Sequence, residues 1–429
     1  MTTYCVRRDG NDAADGLSHA TAWKTLDRLQ QHASESAAPG DVYWLRAGES
    51  FDGSLGSGMP DLTLATYDGD APATIHSGVH NGLEWWGTSG LTVRGIRFVG
   101  DGPASPETAA GVYVSGQRGT RGVRLVDVEA TGYGLAGTVL EGIMEDVEVV
   151  RARLHHNANG LHVSGFLSPV PADHVYDPLR PLSLDGTSGV VGLKVRDTEA
   201  SDNALFNRMC CGYGLHLVGA QNVEIAGCRM RKNGNVGTPG DGVTFGHGGV
   251  LLWRCRQAVV RHCHTEDTTD PTGLDGQGIC TDDSEDMLIE YCTALRDREG
   301  FRVHSEREFV SRRVVIRHNI ATDCVSGLSA FAHDGDVWFQ DNDVSCHGRD
   351  GRFRKCVDIW DVNGLTHFAG NRIAAHDGAL LLQADGPAGL RHARFAASNV
   401  WDAPHPAFVV RGRWHTSLAA ALAAEPART

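Results

Sequence analysis

The stretch "DGQGICTDDSEDMLIEYCTALRDREGFRVHS", from Asp275 to Ser305, holds two apolar runs with strand-like alternation and a cysteine between them. Four acids fall within five residues, Asp282 to Asp286. Asp282, Asp283, Arg302 and His304 all stand at the edges of apparent strands. If this stretch is one turn of a repeat, the places of its charged residues follow from the repeat.

It does repeat. Second strands read "NVEIAGCRM", "AVVRHCHTE", "MLIEYCTAL", "VVIRHNIAT", "DVWFQDNDV" and "LTHFAGNRI", with Cys228, Cys263, Cys292, Asn319, Asn342 and Asn371 in step. First strands read "NGLHVSG", "YGLHLVG", "GGVLLWR", "QGICTDD", "EGFRVHS", "SGLSAFA" and "KCVDIWD". One such unit has too few residues to bury its own apolar face, so units must stack into a continuous core. Like strands of successive turns then pair in parallel at ~4.8 Å. A Cys or Asn recurring at one turn position suits a ladder inside that stack. Leucine-rich and propeller repeats need patterns that are absent. The expected fold is all-β, a single-stranded right-handed parallel β-helix, a solenoid of roughly ten to twelve turns. Its expected parts are an N-terminal cap and first turn over 1–60, the helix over 61–412 and a C-terminal helix or tail over 413–429.

Composition agrees. The 429 residues include 53 glycines and only 7% aromatics, which suits strands and turns. A net charge of −14 argues against a nucleic-acid partner. No apolar run is long enough to cross a membrane as a helix. The N-terminus "MTTYCVRRDGNDAADG" lacks the apolar core of a leader, which leaves the compartment open between cytoplasm and secretion with a leader removed. The 11 cysteines show no CxxC spacing and are expected as reduced, buried thiols.

The segments "DGNDAADGLSHATAWKTLDRL" (9–29) and "APGDVYWLRAGESFDGSL" (38–55) resemble the cap and first turn of pectate-lyase-like right-handed parallel β-helix proteins. "DGQGICTDD", "MLIEYC", "EGFRV" and the closing "WHTSLAAALAAE" resemble further pieces of that superfamily. The resemblance implies a carbohydrate-active protein: a polysaccharide lyase, a glycoside hydrolase, a uronate epimerase or a tailspike. The polygalacturonate-hydrolase branch carries Asn-Thr-Asp and Arg-Ile-Lys motifs that are missing here, and Gly246-His247-Gly248 precedes Asp282-Asp283 instead of following it. The Asp-Pro-His motif of alginate epimerases is also missing.

Strand alternation assigns the outer face. With the apolar residue after each glycine inward, one outward row reads Tyr113, Ala136, His162, His216, Leu251, Cys280, Arg302, Ser329, Asp358, Leu381. A second reads Ser115, Thr138, Ser164, Val218, Trp253, Asp282, His304, Phe331, Trp360, Gln383. Flat rings suit the C–H faces of sugars, so Trp253, Phe331 and Trp360 are expected to line a glycan cleft, helped by Asp358, His216, His162 and His247. The other reading of these rings is packing under a loop or a surface for a partner protein.

Asp282, His304, Arg302 and Asp283 are the catalytic candidates. A carboxylate neighbour orients a histidine for acid–base work, and the planar fork of Arg302 fits a substrate carboxylate. The bland alternative is a surface ion pair at a polar turn. Calcium takes several hard oxygens, which Asp275, Asp282, Asp283 and Asp286 offer. Two insertions, Phe166–Thr187 with His174 and Tyr176, and Gly234–Gly248 with His247, are expected to wall the cleft; Gly351–Lys355 adds positive charge.

The expected function is cleavage of a uronate-containing polysaccharide or oligosaccharide by β-elimination. The first alternative is a glycoside hydrolase pairing Asp282 with Asp358 or Asp283, at ~5 Å for retention or ~6.5–9.5 Å for inversion. Others are a non-catalytic glycan-binding or tailspike-like protein, a uronate epimerase and an enzyme modifying a small metabolite. A monomer or small homo-oligomer is expected.

Overall fold

The structure is a computed structural model describing residues 1–165, 189–204, 212–234, 247–268, 276–305, 310–348, 354–405 and 407–424. Asp275, His174, Tyr176, most of both insertions and Gly351–Phe353 lie outside the described residues. The chain divides into two compact units, the first running to Glu224 and the second starting at Ile225.

The first unit opens with the cap segment put to local use. Asp12 accepts hydrogen bonds from Lys24 N, Thr25 N and Thr25 Oγ1 at 2.7, 3.0 and 2.8 Å. Thr25 in turn caps the helix Leu26–Glu35 by accepting from Arg28 N. Trp23 is buried beneath this knot, and Gly16, at φ +75°, leaves room for its ring: a Cβ there would lie 2.5 Å from Trp23 Cε2. Beyond the cap, parallel strands stack with Leu55, Leu83, Val112, Thr138, Leu161 and Leu215 in one inward register. Six short third strands, from Ser50–Asp52 to Glu199–Ser201, complete the turns among the described residues.

The second unit repeats the plan. Its first strands are β1 (His247–Trp253), β2 (Gln277–Asp282), β3 (Glu299–His304), β4 (Ser326–Phe331), β5 (Lys355–Trp360) and β6 (Leu380–Asp385). All pair in parallel with their neighbours. Val250, Ile279, Phe301, Leu328, Val357 and Leu382 share one register and are fully buried. Seven short third strands, Arg229–Arg231 to Val400–Asp402, close its turns among the described residues.

The Cys/Asn position forms the expected ladder. Asn319 N donates to Asn342 Oδ1 at 3.0 Å, Asn342 N to Asn371 Oδ1 at 3.0 Å, and Asn371 N to Asn399 Oδ1 at 3.0 Å. Cys292 N donates to Asn319 Oδ1 at 2.8 Å and Cys263 N to Cys292 Sγ at 3.4 Å. The residue before each rung turns the chain through the left-handed region: His262, Tyr291, His318 and Asp341 have φ of 53°, 54°, 53° and 53°. A turn in that region leaves backbone N–H groups that a stacked amide or thiol satisfies. The nine described cysteines are buried thiols.

Two register expectations fail. The partners of Tyr113 and Ser115 are Val139 and Glu141, not Ala136 and Thr138. Beside Asp358 and Trp360 stand Gln383 and Asp385, not Leu381 and Gln383. In the first turn the glycine taken as anchor, Gly134, is the wrong one, and in the second the anchor Ala379 is two residues early. Gly137, not Gly134, faces inward like Gly160, with a Cβ there reaching 3.0 Å from Asn157 Nδ2. In β6 the inward place of Gly327 and Cys356 is taken by buried Leu381.

Candidate functional site

The outer face of the second unit depends on a break in strand alternation. In "EGF" of β3 and "SGL" of β4, both the glycine and the next residue face inward. A Cβ on Gly300 would meet Ala321 Cβ and Cys324 Sγ, each at 3.3 Å, and one on Gly327 would meet Val344 Cγ1 at 2.4 Å. In β5 the same inward place is taken by buried Cys356. Two consecutive inward residues bring the residue before the glycine to the same outer side as the residue three later. Glu299 therefore meets Arg302, with Oε2 2.9 Å from Nη1. Lys355 meets Asp358, with Nζ 2.7 Å from Oδ2.

One outward row runs Trp253, Asp282, His304, Phe331, Trp360 and Asp385, each in register with the next. His304 Nδ1 lies 2.9 Å from Asp282 Oδ1, and both side chains are partly exposed. Phe331 and Trp360 stack at 6.4 Å between centroids and 15° between planes. Trp360 is 46% exposed. The Arg302 guanidinium lies 5.1 Å from the Phe331 centroid.

The parallel row reads Leu251, Cys280, Arg302, Ser329, Asp358 and Gln383. It is more enclosed than alternation alone implies, with Leu251, Cys280, Ser329 and Asp358 all buried. Burial raises the Asp358 carboxyl above its ordinary range, with Lys355 opposing and the carboxylates of Glu299 and Asp385 adding to the rise.

Several expectations are corrected. The Asp283 side chain has no solvent exposure and accepts from Trp253 Nε1 at 3.1 Å and Arg254 Nε at 3.4 Å. It braces the turn. Trp253 is held by that bond, with Arg254 4.6 Å from its centroid, so it is no open platform. Asp286 is paired to Arg313 Nε at 2.5 Å. Asp282, Asp283 and Asp286 thus serve different partners, and the described residues contain no metal-ligating cluster of three or more His, Cys, Asp or Glu.

Of His162 and His216, expected to face outward in the first unit, His216 is buried and His162 half-buried, and their Nδ1 atoms lie 3.1 Å apart. Burial pushes His162 down to about 4 and His216 well below the ordinary imidazole range. His247 of the second unit is buried too. A polar cleft of about 470 Å³ in the first unit, lined by His80, Asn81, Glu84 and Gln30 among others, contains none of the predicted site residues.

Glu299, Ser326, Lys355 and Asp385 were not foreseen in the site. Strict alternation places the first three inward, and only the inward contacts of Gly300, Gly327 and Cys356 show that they face out.

The sequence profile described as "Right handed beta helix region" matches residues 183–373. No curated protein matches the chain in sequence. The catalytic unit of the thermostable GH87 α-1,3-glucanase of Streptomyces thermodiastaticus strain HF3-3 is similar in structure, with a TM-score of 0.60 at 15% identity over 88% of this chain. This chain spans 65% of the length of that catalytic unit. The GH136 lacto-N-biosidase of Eubacterium ramulus gives 0.59 at 13% identity, covering 94% of this chain and 68% of that one. The A-module of an Azotobacter vinelandii mannuronan C-5 epimerase gives 0.51 at 12% identity, covering 88% and 95%. Identities this low speak for architecture alone. With the repeat, the register and the profile in agreement, the chain is a right-handed parallel β-helix.

Proposed function

We propose that this protein is a carbohydrate-active enzyme that cleaves a uronate-containing glycan by β-elimination on the outer face of its second unit. The observation that carries the reading is the Asp282–His304 dyad one strand from the Phe331–Trp360 platform. An ionised Asp282 accepts Nδ1–H from His304, which fixes the tautomer and leaves the Nε2 lone pair as the base. A sugar lying on the rings presents its C5 proton to Nε2. Nε2 takes the C5 proton, the C5–H electron pair forms the C4–C5 double bond, the C4–O bond breaks, and the leaving oxygen takes a proton from water. Arg302 has five donors, enough to serve Glu299 and a substrate carboxylate together. The named activities of the structural neighbours, two hydrolases of glycans and an epimerase of mannuronan, support a sugar polymer as substrate without selecting the reaction.

A second reading, glycoside hydrolysis, is favoured by the buried Asp358, whose carboxyl burial raises above its ordinary range, as the general acid. Its partner is not Asp282: three strand spacings, ~14 Å, part them, beyond the ~9.5 Å limit for an inverting pair. Asp385, on the adjoining strand, is the carboxylate to pair with it.

The deciding assay incubates the protein with polyuronate and neutral glycans, with and without calcium, and reads near-ultraviolet absorbance beside reducing ends. Elimination raises both; hydrolysis raises reducing ends alone, and that outcome would replace the first reading by the second.

A further inference from the structure

Beside the dyad, β3, β4 and β5 carry a pattern that proton abstraction does not use. Glu299, Ser326 and Lys355 stand in one register, and Arg302, Ser329 and Asp358 in another. The two ion pairs, Glu299–Arg302 and Lys355–Asp358, therefore run in opposite senses on either side of the strand that carries the serines. Each serine has an anion on one flank and a cation on the other.

Ser326 and Ser329 are both fully buried, and neither Oγ has a hydrogen-bond partner among the described residues. Buried hydroxyls without partners are rare because each has given up its water for nothing. Two of them in adjoining places, ringed by charge, are what a pocket shows when its partner is a ligand hydroxyl.

The charges select that ligand. The four ionised groups sum to zero. A carboxylate seated between the two pairs, rather than at the part of Arg302 beside Phe331, would meet Glu299 and Asp358 as well as the two cations. A sugar hydroxyl donates and accepts at once, which is what alternating anions, cations and serines can satisfy together. Access lies at the cations, whose side chains keep 18% and 16% exposure against 6% and 5% for Glu299 and Asp358. Arg302 also lies over Phe331, so this rim adjoins the aromatic platform.

We propose that Glu299, Arg302, Ser326, Ser329, Lys355 and Asp358 form a binding pocket for an uncharged, hydroxyl-bearing sugar unit. The substrate is then a mixed glycan, with a neutral sugar next to the uronate presented to His304. This rests on the reading of the face as a glycan site.

The test is calorimetric titration of the full chain with two probes, a homo-oligouronate and an oligosaccharide in which uronate and neutral hexose alternate. The unmodified chain binds the alternating probe more tightly. Ser329→Ala and Ser326→Ala each weaken that binding by about tenfold or more and leave the homo-oligouronate unaffected. The melting temperature of each unliganded variant holds or rises, because the lost hydroxyl had no partner to lose. A fall in melting temperature, or alternating-probe binding equal to that of the unmodified chain, would assign the serines to packing and overturn the pocket. Cleavage of the homo-oligouronate with no preference for the alternating probe sinks the pocket and spares the lyase reading. Failure of both probes to bind sinks both.

Discussion

His304 Nδ1 lies 2.9 Å from Asp282 Oδ1 across adjacent strands, at one register step. The pair meets because parallel stacking puts residues 22 apart in sequence side by side. With Nδ1 taken, the opposite edge of the ring is the one presented to substrate. His304→Gln is expected to lower kcat by about 10²–10⁴-fold, the usual contribution of a positioned acid or base. Asp282→Asn, which removes only the orienting charge, is expected to cost less. Steady-state kinetics on the cleaved glycan checks both; full activity in His304→Gln would exclude it as the base.

The two tryptophans of the row should behave oppositely. Trp360 is half exposed and stacks on Phe331, so Trp360→Ala is expected to raise KM several-fold with little change in melting temperature. Trp253 donates to a carboxylate with no solvent exposure. Trp253→Ala removes that donor and is expected to destabilise by about 1–3 kcal/mol, read from denaturant unfolding.

Asn342 shows what the ladder contributes. Its Oδ1 accepts from Asn319 N at 3.0 Å and Nδ2 at 3.1 Å, and its own Nδ2 donates to Ile316 O at 2.9 Å. Asn342→Ala orphans these buried groups. The expected loss is about 1–3 kcal/mol or more, seen as a lower melting temperature, whereas an exposed turn asparagine would cost almost nothing.

Asp297 gives a pH prediction. It is enclosed in the second unit, where it accepts from Thr268 N at 2.9 Å and meets the hydroxyls of Thr265 and Thr268 at 2.5 and 2.6 Å. Burial pushes its carboxyl up to about 7, against the bonds from the threonines. The folded value lies above the unfolded one, about 3.9, so the folded state holds the proton longer. Stability from this group is full below the unfolded value and falls as pH rises towards about 7. Asp297→Asn keeps a donor and an acceptor in place and does not titrate. Its stability relative to the unmodified chain is expected to grow from about pH 4 to 7 and then level off, as urea titrations at several pH values would show. A constant difference would refute the assignment.

The repeat was legible because stacking imposes the same demand on every turn. Apolar residues at Ile279, Phe301 and Leu328 mark the inside, and Cys292, Asn319 and Asn342 mark one buried turn. The row from Trp253 to Trp360 followed directly. Glu299 and Lys355 did not, because strict alternation places them inward, and only the contacts of Gly300 and Gly327 show two inward residues in succession. Asp385 was missed because the row was anchored at Ala379, two residues early; the buried Leu381 stands where other turns carry glycine.

Periodicity alone therefore determined the coil, its inward set and the meeting of Asp282 with His304, since each is a consequence of residues repeating at one address. Which outward groups are enclosed, and with whom they bond, was decided by tertiary structure. Asp283 and Asp282 are neighbours in the chain, yet one is sealed against Trp253 and Arg254 and the other opens toward solvent. No local pattern separates them, because burial depends on side chains brought alongside from other turns.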